Sequence, residues 1–428
     1  MRTVLARFGF SPRRFQQLLD QYCSITHELG CVPTFPITAV VLKRHPKLIR
    51  AFWERGIEFA VHGNIHVDYG VISLEEQIKH FQKAINTFKE CRLPFVGFRA
   101  PFLRVNDQTF HALSNVGFPY DSSCAFHWDV IDKTRYKEES WSEYERVLDF
   151  YKSRPAEDYL VLPRLFNGSV EIPVSMPDDE IAVERLGITD EKEVVDIWSA
   201  VTEKTYALGE LFTIQLHPER IMCCGGALTT VVKLSKQYNP PVWIATLREI
   251  AEWWQERSKF VFHIESHDSR KYQVKAECSE RATILVKNGK VNVPVGRWFG
   301  GYDTITAREF ILESPARPLI GVKRNSSKEA ISFLQSEGYI VESNDQPENY
   351  AIYLDNLEQF ARTDEKKLSS KIEQSRAPLI RYWRWPDRAR SAMSVTGDID
   401  SITLMDFALR IIENVLENRR QKKLNRGS

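Results

Sequence analysis

No run of apolar residues in this chain approaches the roughly 18 that a spanning helix needs, so no membrane span is expected. The first residues, MRTVLARFGFSPRRF, also lack an apolar run of signal-peptide length. Charge of one sign is missing as well. Fifty-eight basic and 57 acidic residues leave a formal charge of +1, which gives no global argument for nucleic acid or an acidic membrane surface as a partner. The seven cysteines are odd in number and scattered. Cys223 and Cys224 are adjacent rather than at the two-residue spacing of a ligand pair, so they read as structural. Free thiols in a reducing, cytoplasmic setting are expected. There is no internal repeat and no low-complexity segment.

What is present is an ordinary globular composition, 43% hydrophobic and 27% charged, in a chain of 428 residues. That length implies two domains. Over the first 260 residues, short β-rich segments at 33–38, 58–62, 95–99, 120–123, 170–175 and 211–217 alternate with helical patterns at 14–29, 73–91, 190–208 and 241–257. Ser73 with Glu76 is a capping-box signature for the second of these helices. Such alternation implies a parallel sheet covered by helices. A seventh strand, 391–396, comes late and is followed by an amphipathic helix marked by Ile402, Leu404, Phe407, Ile411, Val415 and Leu416.

Residues 262–377 break the pattern. Segments 271–276, 282–286 and 290–293 read as antiparallel strands, and 317–354 reads as strand, helix, strand. The expected architecture is α/β: a distorted (β/α)7 barrel, circularly permuted, with an inserted α+β accessory module. Its parts are 1–261 (strands two to seven), 262–377 (the module) and 378–428 (strand one with its following helix). The basic tail 419–423 reads as a solvated helix end.

Two short segments carry metal-site chemistry. Val61-His62-Gly63-Asn64-Ile65-His66 offers two imidazoles at a spacing that lets both face one cation. A catalytic zinc site wants three protein ligands and one open position, so a carboxylate must come from elsewhere. Asp398-Ile399-Asp400, near the other end of the chain, is the best candidate. If the segments meet, the chain is a hydrolase whose first strand lies near its C-terminus. Taken singly, each motif also has a plain reading: polar loop histidines, a Thr-Gly-Asp turn, a histidine at a strand end.

Three motifs in order, His62-x-x-x-His66, Arg99-Ala-Pro101-Phe102 and Ile214-Gln-Leu-His217, together resemble the polysaccharide deacetylases, the NodB-homology enzymes of carbohydrate esterase family four. The family's opening Asp motif is absent before residue 14. Thr396-Gly397-Asp398-Ile399-Asp400 resembles it, displaced to the C-terminal end. The resemblance covers residues 12–260 and 378–415. It implies His62, His66 and Asp400 as ligands of a divalent metal, most readily zinc, with cobalt, nickel or manganese as alternatives. It further implies Asp398 as general base, Arg99 as its partner, and the backbone N–H of Phe102, after Pro101, as an oxyanion donor. His217 would be the general acid protonating the leaving amine. The family tunes this histidine with an aspartate, for which Asp178 is the first candidate and Asp121 the second. Trp128, Trp383 and Trp385 read either as sugar-stacking surfaces or as packing.

The function so implied is metal-dependent removal of an N-acetyl group from an amino sugar. A carbohydrate substrate is the expected partner, either a polysaccharide or an activated or lipid-linked precursor. Two other readings stand beside it. One is hydrolysis of another small amide at the same site. The other is a non-catalytic carbohydrate-binding or scaffolding barrel, in which Asp398 and Asp400 would lie far from His62 and His66. Oligomeric state is not legible.

Overall fold

A computed structural model describes residues 7–268 and 270–424. The chain divides into two compact units, one formed by 7–156, 161–254 and 392–424, the other by 157–160 and 255–391.

The first unit is α/β. Thr34–Ile37 and Glu58–Val61 pair in parallel over four residues, and all eight residues are buried. Burial on both faces is the mark of a parallel sheet covered by helices. Ser391–Thr396 is parallel to Leu211–Gln215 over five pairs. It also meets Thr34 at Thr396, and the contact continues as a bridge from Ile37 to Ile399. Beyond Glu58–Val61, the series runs through single parallel bridges at Phe98 to Tyr120–Asp121. That strand pairs with Ser169–Glu171. The late strand therefore lies between two strands that are 177 positions apart at their first residues (211 minus 34).

Two segments differ from expectation. Residues 95–99 form no strand, only the bridge at Phe98, because Pro94 and Gly97 interrupt so short a run. Residues 241–257 are not one helix. Val242–Ile244 is a strand beside Ser391–Thr396, and the helix begins at Leu247. The helix Leu74–Glu90 starts as expected, with the Ser73 hydroxyl accepting from the Glu76 N–H at 3.4 Å. Ile221–Gln237, which carries Cys223 and Cys224, is a helix that periodicity alone did not mark. All seven cysteines are free thiols.

The second unit is mainly antiparallel. In Lys271–Glu277, Tyr272, Val274 and Ala276 are buried and the residues between them are not, the period-two signature of a sheet with one wet face. Arg317–Val322, Val341–Ser343 and Tyr350–Leu354 form a parallel trio with the helix Lys328–Ser336. Leu379–Tyr382 pairs with Ile284–Lys287. This unit therefore runs to Ser391 rather than ending near 377. Trp128, Trp383 and Trp385 are 1%, 6% and 0% exposed, so all three are packing residues and not sugar platforms.

Candidate metal and catalytic site

The site lies at the C-terminal ends of the parallel strands. His62 follows Val61 directly, and its N–H donates to the Ile37 carbonyl at 2.9 Å. Gly63 turns the chain at φ +79°, where a Cβ would lie 2.9 Å from the Tyr69 hydroxyl. His66 lies in the following loop, whose His66 carbonyl accepts from Asn414 Nδ2. On the late strand, Gly397 lets the backbone pass close to its neighbour: a Cβ there would lie 2.0 Å from the Leu216 carbonyl oxygen. Gly397→Ala is therefore expected to destabilise the protein by about 2 kcal/mol or more, read as a lowered thermal midpoint. A midpoint equal to wild type would contradict the close approach.

Asp400 meets both imidazoles. His62 Nε2 lies 3.3 Å from its Oδ1, and His66 Nε2 lies 3.3 Å from its Oδ2. His62 Nδ1 is 2.9 Å from the Arg99 carbonyl oxygen, a contact that sets the ring with Nε2 toward Asp400. Burial, followed by the Arg410 guanidinium, pushes the His66 imidazole down to about 4. It is thus neutral at neutral pH, the form that ligates metal. Burial would raise the Asp400 carboxyl, but His66 and Arg410 outweigh it and hold the group well below the usual carboxylate range. Arg410 Nη1 donates to Oδ2 at 2.6 Å, whereas Oδ1 is buried with no hydrogen-bond partner. Two imidazoles and a carboxylate with a buried, unsatisfied oxygen fit a divalent cation of the zinc type.

Asp398 stands beside this group. Its Oδ1 accepts from Arg99 Nη1 at 3.1 Å, and its Oδ2 accepts from Gln215 Nε2 at 3.1 Å. Oδ2 is also 3.8 Å from His62 Nε2. Arg99 is fully buried and fixed along its whole fork. Nε donates to the Ser122 carbonyl, Nη2 to the Ser122 hydroxyl, and Nη1 also to the Thr396 hydroxyl, each at 2.9 Å. A buried guanidinium saturated in this way is a rigid support for one carboxylate.

His217 enters the same pocket. Its Nδ1 is 2.9 Å from Asp179 Oδ1, and its N–H donates to Asp179 Oδ2 at 3.1 Å. Burial works against charge on His217, but Asp179 overrides it and raises the imidazole well above its ordinary value. The partner is Asp179 and not Asp178 or Asp121. Asp178 turns inward to cap the Ile181 N–H at 2.8 Å. Burial and the adjacent Asp179 charge push its carboxyl up. Asp121 accepts from the Ser123 hydroxyl at 2.5 Å and is raised to about 7, chiefly by burial.

Phe102 follows Pro101 in a short 3-10 turn at φ +59°. Its ring meets His66 edge-on with centroids 4.3 Å apart. A pocket of about 320 Å³ gathers His62, His66, His217, Asp398, Asp400 and Phe102, together with Gln215 and Arg410. Gln215 was readable in principle, since strand alternation puts it on the same face as His217. Arg410 and Asp179 had no such signal.

These features together make a candidate metal triad flanked by a carboxylate and by an imidazole paired with Asp179. Comparison with known proteins agrees with the resemblance carried by the motifs. Residues 8–120 match the family model described as Polysaccharide deacetylase. His62, His66 and Arg99 fall inside that segment, while His217, Asp398 and Asp400 fall outside it. The "Peptidoglycan deacetylase-like protein FGM2" of Gibberella zeae is 24% identical over 235 residues, 49% of this chain and 66% of that protein. The chain thus spans just under two thirds of that relative's length. Among solved structures, a probable polysaccharide deacetylase from Pseudomonas aeruginosa PAO1 is 18% identical, with a TM-score of 0.43, over 56% of this chain and 72% of that one. An allantoinase, Puue, is also 18% identical, with a TM-score of 0.44, over 57% and 75%. At those scores neither likeness carries an argument about fold or function.

Proposed function

We propose that this chain is a metal-dependent hydrolase that removes an N-acetyl group from an amino sugar, in a polysaccharide or an activated or lipid-linked precursor. The observation that carries the reading is Asp400 lying 3.3 Å from both His62 and His66, in the pocket that also holds Asp398 and His217. A binding protein with a degraded site would have no reason to keep the base, its buried arginine and a charged acid around a metal triad.

His62, His66 and Asp400 would hold the metal, zinc first among the candidates. When bound, it supplies Lewis acidity toward water and the amide carbonyl. Asp398, oriented by Arg99 and Gln215, takes the proton from the attacking water. His217, kept protonated by Asp179, delivers a proton to the departing amine nitrogen as the C–N bond breaks. The Phe102 N–H, in the turn beside His66, is the oxyanion donor of this scheme. Acetate and a free amine are the products. We read the first unit as a (β/α)7 barrel, permuted so that strand one follows the second unit in sequence. The parallel neighbours of Ser391–Thr396 support this order. A cytoplasmic setting is part of the same proposal.

The test is acetate release from N-acetylglucosamine oligomers by zinc-loaded protein. Release that stops on chelation and returns with zinc is expected. Turnover of a small cyclic amide with no acetate release would instead favour the second hydrolase reading. Sugar binding without turnover of either substrate would favour a non-catalytic role.

A further inference from the structure

The two faces of the C-terminal helix Leu404–Leu424 are used very differently. Its inner face is engaged along its length. Asp406 Oδ2 lies 2.8 Å from His45 Nε2, and Arg410 Nη1 donates to Asp400 Oδ2. Glu413 accepts from Arg44 Nη2, and Asn414 Nδ2 donates to the His66 carbonyl. The outer face makes no such contacts. From 405 to 416 every exposed residue of the helix is apolar: Met405, Ala408, Ile411, Ile412, Val415 and Leu416. Positions 405, 408, 412 and 415 follow at three, four and three, with 411 and 416 flanking them, so they form one stripe. Apolar residues scattered singly on a surface need no explanation, whereas a contiguous stripe marks a surface that something covers.

Basic residues adjoin both ends of the stripe. At its start, Gly9 bridges Thr403 in parallel, and the Leu404 N–H donates to the Gly9 carbonyl at 3.0 Å. The next residue, Phe10, is 90% exposed, and Arg13 and Arg14, both exposed, follow it closely. At the far end the exposed Arg419 continues the stripe four positions past Val415. It opens the segment Arg419-Arg420-Gln421-Lys422-Lys423, with four basic residues and no acidic one. Among the described residues of the helix, none that is exposed is acidic.

That charge pattern selects the occupant. A second copy of this chain would match the apolar stripe but would bring no acid to answer the cations. Paired in parallel, the two segments beginning at Arg419 would meet. Paired antiparallel, each would face the Phe10, Arg13 and Arg14 end of the other copy. Either way like charges oppose. A surface that accepts apolar side chains and is itself anionic suits both parts of the face. An amphipathic helix with a basic cluster lies on an anionic lipid surface for those two reasons, apolar burial and headgroup attraction.

We propose that the outer face of the helix Leu404–Leu424, with Phe10 beside it, docks on an anionic phospholipid surface. The helix lies on that surface and does not cross it. Its inner face carries Arg410, which lines the candidate metal pocket, so the pocket is held about one helix diameter, ~10 Å, from the headgroups. The proposal rests on the exposed face alone and requires neither bound metal nor catalysis.

The test is co-sedimentation of full-length protein with vesicles of phosphatidylcholine alone and of phosphatidylcholine mixed with phosphatidylglycerol. Wild type is expected to bind the mixed vesicles at least about 10-fold more tightly, and added salt should weaken that binding. Ile412→Gln with Leu416→Gln removes apolar contact without adding charge and should weaken binding at least about 10-fold. Arg419→Glu with Arg420→Glu should do so to a similar extent. All four positions lie on the outer side of the helix or beyond the stripe, and native circular dichroism and melting temperature check that each variant folds. The inference is overturned if wild type stays in the supernatant, if it binds both vesicle types equally, or if either double variant binds like wild type. It is also overturned if light scattering without lipid finds a dimer that Ile412→Gln with Leu416→Gln splits, because the face is then an interface between copies.

Discussion

Asp398→Asn is expected to lower the rate of acetate release about 10³-fold, the scale on which a positioned acid or base contributes, with metal content unchanged. The reason is geometric. Asp398 is set by Arg99 and Gln215 through separate oxygens, each at 3.1 Å, while Asp400 is the carboxylate equidistant from the two imidazoles. An amide at 398 keeps the shape and removes the proton acceptor. Loss of metal along with rate would show that Asp398 is a ligand and that the division of labour between the two aspartates is wrong. Stopped acetate assays beside elemental analysis of the same samples decide between the two.

Asp179→Asn is expected to reduce kcat by about 10² or more and to move the basic limb of the kcat profile toward acid. His217 is buried, and burial alone favours its neutral form. The Asp179 pair, at 2.9 Å, does most to keep it protonated well above its ordinary value, and the Glu219 and Asp398 charges add to it. The sign of the stability effect follows. The folded-state value is raised, so the pair stabilises the fold fully below the unfolded pKa, about 6.5, and that contribution is lost as pH rises through the folded value. Melting curves of wild type and variant should therefore differ most in acid and less in alkali, where the Asp179 pair with Arg220 Nε, at 3.0 Å, remains. An unmoved pH profile would mean that His217 does not act as the acid.

Several residues of the candidate site were legible in sequence because they follow short apolar or β-branched runs. His62 follows Glu58–Val61, His217 follows Leu211–Gln215 closely, and Asp398 and Asp400 follow Ser391–Thr396. Side-chain type and position at a strand's C-terminal end together imply chemistry. The aspartate on His217 was not readable. Asp178, Asp179 and Glu180 are consecutive acids, and which of them faces the imidazole depends on the turn, where Asp178 is taken up by the Ile181 N–H. Gln215 could have been found from alternation. Arg410 could not, since it reaches back to Asp400 from within the helix Leu404–Leu424, ten positions further along the chain. The strand Val242–Ile244 was hidden by its length of three residues and by its half-buried pattern, which gives no clear period. For the tryptophans of the second unit the sequence left stacking and packing both open, and the structure decides for packing: Trp383 donates its indole N–H to the Ala389 carbonyl at 2.9 Å in the interior.

The most direct measurement is metal content per chain in wild type and in Asp400→Ala, both loaded with zinc under the same conditions. The account predicts that Asp400→Ala holds about one equivalent less than wild type and releases no acetate, because residues from opposite ends of the chain build one site. Unchanged metal content in Asp400→Ala would contradict it and leave His62 and His66 without their carboxylate ligand.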